Sequence, residues 1–236
     1  MIARRALAAG ACLLLAAQPA LAQGSDPDNP TCPKSMNWST YRQMRFTVEP
    51  NDGHKILRAE GVIDEGAPER LKQTLGGKAG EIEEIWIRSP GGDARAGNAI
   101  GKLIRDAGIP TRIPKGWACF SACNFVFMGG PLRTVDDGGV FAVHMFTHVS
   151  DREALRSQVA GDKAAGTVAA IEQDSALLAS EDNDFLLRMG VSRKLLTEIM
   201  YKQKAVAEAG EDRSTRRCLS QAEVRKYNVG TVALPQ

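Results

Sequence analysis

Ile82-Glu83-Glu84-Ile85-Trp86-Ile87-Arg88-Ser89-Pro90-Gly91-Gly92 is an apolar run that stops abruptly at a Ser-Pro-Gly-Gly turn. The run reads as a strand, and the two glycines can present bare backbone N–H groups at its end. About thirty residues on, Cys119-Phe120-Ser121-Ala122-Cys123 puts a serine between small neighbours at an expected strand-to-helix turn, where its hydroxyl is left uncovered. A second apolar run, Val140 to Val143, delivers His144, a residue able to take a serine proton. Three separate stretches thus supply the parts of one hydrolytic site.

Around these segments strands and helices alternate. Residues 44–49 and 55–63 alternate polar and apolar about Asn51-Asp52-Gly53, which predicts a hairpin. Pro68 to Leu75 fits a short helix closed by Gly76-Gly77, and Ala94 to Ala107 a longer one stopped by Gly108. Thr111–Ile113, Leu132–Val135 and Val140–His144 read as short strands, and Ser121 to Met128 as a buried helix that begins at the serine. From about residue 150 to Tyr201 the chain turns Ala/Glu/Asp/Leu/Lys-rich and helical. Breaks are expected there at Asp182-Asn183-Asp184 and at Gly190-Val191-Ser192, with Ser192 as an N-cap. The acidic groups from Glu172 to Asp184 read as a solvated helix face. Ser220 with Glu223 forms a capping box that opens a last helix. The pattern is that of an α/β sheet protein.

The first 22 residues stand apart. Arg4 and Arg5 precede an Ala/Leu run, Ala6 to Ala17, and Ala20-Leu21-Ala22 has the form of a signal-peptidase site before Gln23. The run is too short for a membrane anchor, so export without a remaining anchor is expected, to a periplasmic or secreted location. Removing the segment takes two arginines and no acid, so the net charge falls from +2 to zero. With no basic block left, nucleic acid is a poor partner. Residues 23–42 read as a Pro/polar lead-in, poorly ordered over 23–35 except at Cys32, and residues 43–236 as one domain.

The motifs resemble the Clp protease proteolytic subunit, ClpP, within the ClpP/crotonase superfamily, and especially its exported stand-alone relatives. Ser89-Pro90-Gly91-Gly92, Ser121 and His144 match in order and spacing, and Gly129-Gly130-Pro131-Leu132-Arg133 resembles the family's Gly-x-x-x-Arg segment. The likeness runs from about residue 57 to 148 and returns at Leu219 to Val229. It implies repeated ββα units with a helical C-terminal extension. It also implies a serine peptidase that needs no cofactor, acts on protein or peptide and assembles as a homo-oligomer. Ser121 would be the nucleophile and His144 its base. N–H groups of Gly91 or Gly92, and of Ala122, would form the oxyanion hole. For the acid, counting forward from Met189-Gly190 lands near Ile199-Met200, where no carboxylate stands, and counting back from Leu219-Ser220 lands on Asp212. Asp212 is the expected third member; a Ser-His dyad is the alternative.

Rival readings are carried beside this one. His144 and His148, with Asp136 or Asp137, have a spacing that would ligate a metal only on a helix, and the strand-like residues before them argue against it. A non-catalytic scaffold or binding protein of the same fold is the alternative from another class. A crotonase-type acyl-CoA enzyme has no evident substrate supply outside the cell.

Four cysteines remain after signal removal: Cys32, Cys119, Cys123 and Cys218. In an exported chain they favour disulfides, with three possible pairings. Within a regular helix, residues four apart are poorly placed for a bridge, so Cys119–Cys123 is not the expected pair. Cys218 is expected to be bridged, to Cys32 first, since that bond closes the largest loop, or else to Cys119 or Cys123.

Overall fold

The computed structural model describes residues 29–145, 164–204 and 215–232. The hairpin forms as read: β1 (Arg45–Asn51) pairs antiparallel with β2 (His54–Glu60), with Asn51 opposite His54. Asp52 and Gly53 between them both take positive φ, 48° and 85°, the conformation that tight primed hairpin turns require. Helix α1 (Ala67–Leu75) has a proline in its first turn and buries Ala67, Leu71 and Leu75, one residue per turn, against the sheet. β3 (Ile82–Arg88) then enters parallel to β2, with Ile82, Ile85 and Ile87 buried.

Helix α2 (Ala94–Ala107) is capped by the Asp93 carboxylate, which accepts from Ala96 N at 2.6 Å, and ends at Gly108 with φ 70°. β4 (Thr111–Ile113), β5 (Ala118–Phe120) and helix α3 (Cys123–Met128) follow, then β6 (Arg133–Val135), β7 (Val140–Val143) and helix α4 (Ala164–Arg188). β8 (Arg217–Cys218) and helix α5 (Gln221–Lys226) close the described chain, and α5 carries the Ser220/Glu223 capping box.

Two sheets result. The larger has the order β1-β2-β3-β4-β6, parallel from β2 onward, and the smaller β5-β7-β8. Each ββα unit after the hairpin sends its first strand to the larger sheet and its second to the smaller: β4 and β5 before α3, β6 and β7 before α4. Ile85, Ile87, Ile100, Ile104, Val126, Phe127 and Phe141 are wholly buried between sheets and helices. Each such side chain is worth about 1.5–3 kcal/mol of burial.

Arg133 is buried to 1% exposure. Its guanidinium donates to the carbonyls of Val229, Asn228, Gly130 and Met189, tying the C-terminal segment to the end of α3. Burial, with Arg105 beside it, pulls the Arg133 pKa down to about 10, still charged at neutral pH.

The structure corrects several expectations. The helix expected from Ser121 begins at Cys123, because Ser121 itself takes φ 58° and breaks the helical path. Helix α4 runs unbroken through Asp182-Asn183-Asp184, since Asp182, Phe185 and Leu186 are buried and packing outweighs the weak propensity of the polar residues. Of residues 23–35, the described ones from Asn29 on are tied to the domain, and the lead-in stays paired beyond them: Asn37 accepts from Ala118 N and Tyr41 from Val62 N. Asn29 accepts from Arg216 N, and Thr31 from Cys218 N at 3.1 Å. Ser192 does not cap a regular helix; its hydroxyl accepts from Lys194 N at 3.4 Å at the start of a wide π-type turn over Leu195–Ile199.

Cys32 and Cys218 are bridged, with Cα atoms 5.0 Å apart, as expected. Cys119 and Cys123 are bridged too, at 5.4 Å, against expectation. The physical reason is the left-handed residue between them: Cys119 lies on β5 and Cys123 opens α3, so the helical geometry assumed for the pair never applies.

Candidate active site

β5 and β7 are parallel neighbours, with Phe120 opposite Ala142. Ser121 follows one strand and His144 the other, so register alone carries both past the same end of the small sheet. Their side chains meet: His144 Nε2 lies 2.7 Å from Ser121 Oγ. Ser121 is one of three non-glycine residues with positive φ among the described residues, and its backbone strain turns the hydroxyl out of the strand-to-helix corner. Its carbonyl accepts from Asn124 N, and the Cys119–Cys123 bridge spans the corner on both sides. Ser121 therefore does not act as the helix N-cap; Ala122 occupies that place.

The imidazole is backed by a column of rings. Phe120 lies 4.6 Å from His144 between centroids, Trp38 stacks on Phe120 at 5.8 Å, and the Arg216 guanidinium covers Phe120 at 4.8 Å. Below it, Asn124 Nδ2 donates to Ala142 O at 2.9 Å and ties α3 to the histidine's strand. The Cys32–Cys218 bridge packs on Ala142 from the other side, with Cys218 opposite Ala142 in β8.

The Ser-Pro-Gly-Gly turn reaches the same corner through backbone pairing. Ser89 N donates to Ala118 O and Phe120 N to Ser89 O, laying the turn beside β5. The Ser89 side chain, wholly buried, donates to Gly61 O at 2.6 Å and accepts from Gly91 N at 3.0 Å. That bond occupies the Gly91 N–H, whereas the N–H groups of Gly92 and Ala122 donate to no other described residue. A Cβ on Gly91, whose φ is 92°, would stand 2.7 Å from Ser121 Cβ and from Phe120 O, so only glycine lets the turn come this close.

Asp212 and His148 lie outside the described residues. Among the described residues no cluster of His, Cys, Asp and Glu could hold a metal, and no helix is long and apolar enough to cross a membrane.

The cleft holding Ser121 and His144 contains a residue the sequence reading put elsewhere. Asp182 lines it, between Leu178 and Leu186 on one stripe of α4, and is 7% exposed. Its neighbours Glu181 and Asp184 do face solvent, and Asp174 pairs with Arg95 at 3.2 Å. Asp182 is the exception to the solvated face, and the signal was its spacing of four from two leucines. Burial, and then Glu181 beside it, pushes its carboxyl up to about 7.

No protein-family model matches the chain, and no curated protein matches it in sequence. Solved structures similar to it include a substituted ClpP1 from Listeria monocytogenes, 16% identical, covering 72% of this chain and 85% of that one at a TM-score of 0.47. A substituted membrane-bound stomatin-specific protease is also 16% identical, over 73% and 74%, at 0.44. Methylmalonyl-CoA decarboxylase is 15% identical over 49% and 51%, at 0.35. On its own strand order and repeated ββα units, the chain is a mixed α/β protein with parallel and antiparallel strand pairs and helices packed on them.

Proposed function

We propose that this protein is an exported, ATP-independent serine peptidase. The observation that carries the reading is Ser121, held at φ 58° with its hydroxyl 2.7 Å from His144 Nε2. Backbone strain at a non-glycine residue is paid for only where the surroundings over-determine it, and here it exposes a nucleophile to a base.

Ser121 Oγ attacks the scissile carbonyl carbon while His144 Nε2 takes its proton. The carbonyl electron pair moves to oxygen, and the N–H groups of Gly92 and Ala122 receive the oxyanion. Collapse of the intermediate expels the amine, which leaves with the proton from His144. Water then repeats the sequence on the acyl-enzyme and releases the acid. Asp212 orients the imidazole in this scheme. Two disulfides favour an oxidising compartment, and the N-terminal signal-like segment supports export.

The test is labelling of oxidised, folded protein with a fluorophosphonate probe, followed by incubation with unfolded casein. Wild type should be labelled and should cleave casein, and Ser121→Ala should do neither. Folded wild type that takes no label and leaves casein intact would instead be a scaffold that keeps the fold without the chemistry.

A further inference from the structure

We propose that Asp182 makes the cleft beside Ser121 selective for a long basic side chain, lysine or arginine, on the acyl side of the cleaved bond. This rests on the peptidase reading above and names its substrate class. The cleft walls are apolar: Phe125, Met128, Leu178, Leu186, Leu195 and Met200. One carboxylate interrupts them. The Asp182 carboxylate accepts no hydrogen bond from any described residue, although it is 7% exposed.

An unsatisfied buried acceptor costs about 1–3 kcal/mol, and a charged one more. The Asp182 carboxylate, lining an apolar cleft with no donor among the described residues, calls for a ligand that brings one. A lysine or arginine side chain fits both demands, with methylenes against the leucines and a donor-only cationic head at the carboxylate. An apolar side chain would bury the carboxylate unpaired, and an acidic one would add like charge. The other titratable groups near Asp182 are Glu181 on its own helix, Tyr201 on the following turn and His144 across the cleft. The raised pKa of the Asp182 carboxyl agrees, since an arriving cation would bring it down.

The test reads binding without turnover. Calorimetric titration of Ser121→Ala with two short N-acetylated peptide amides, identical except for lysine or norleucine at their C-terminal residue, should give at least tenfold tighter binding of the lysine peptide. Adding Asp182→Asn should reduce that ratio to near one, and Asp182→Leu should reverse it. Thermal melts confirm that each variant is folded. Equal affinities, no binding of either peptide, or an unchanged ratio in the Asp182→Asn background overturns the proposal. Fluorophosphonate labelling of wild type reports separately on the peptidase reading, so the two can fail independently.

Discussion

Asp182 makes a stability prediction that needs no substrate. Its carboxyl is raised from the ordinary 3.8 to about 7 in the folded protein, first by burial and then by Glu181. The folded state therefore holds a proton that the unfolded state releases. Between those two values the native protein binds more protons than the unfolded chain, so stability falls as pH rises. The loss begins near pH 4, is nearly complete at pH 7 and levels off above it. At about 1.36 kcal/mol for each of roughly three units, the contribution is about 4 kcal/mol. Replacing Asp182 with Asn removes the ionisation and keeps the shape. Denaturant unfolding of both proteins, disulfides intact, should then give similar stabilities at pH 4 and a gap opening toward pH 7.5 in favour of the variant. Curves that stay parallel across that range would show that the carboxyl is not held neutral by its surroundings, and would refute the reasoning.

Gly91→Ala should lose most activity and about 1–3 kcal/mol of stability, because its Cβ meets Ser121 and Phe120 at a positive φ; kinetics and thermal melts check it. Replacing Cys32 and Cys218 together with alanine should cost about 5 kcal/mol by loop-closure entropy, since the bridge spans 186 residues, and should loosen the strand that carries His144; calorimetry reads the cost. Asp212→Asn should lower kcat by orders of magnitude with little change in KM if that carboxylate holds the histidine tautomer, and a near-normal rate would favour the dyad.

Local rules reached much of this from sequence. The Asn51-Asp52-Gly53 hairpin, the Gly108 helix stop and the Ser220/Glu223 box depend on neighbours a few residues apart, and all formed as read. The order of the Ser-Pro-Gly-Gly turn, Ser121 and His144 was enough to group them, because parallel strands pass their ends to one edge of a sheet.

What the sequence could not decide was everything set by packing across the chain. The φ of Ser121 is imposed by Gly91, by the corner between β5 and α3, and by a disulfide that only this bend allows. The choice of Gly92 over Gly91 as a free donor followed from Ser89, whose hydroxyl turned inward to take the Gly91 N–H. Asp182 looked like its acidic neighbours and was buried because α4 lays its leucine stripe over the cleft, and only the packed helix shows which carboxylate lies on that stripe. Composition and spacing determine which residues could do chemistry; a side chain's solvent and partners exist only once distant segments close around it.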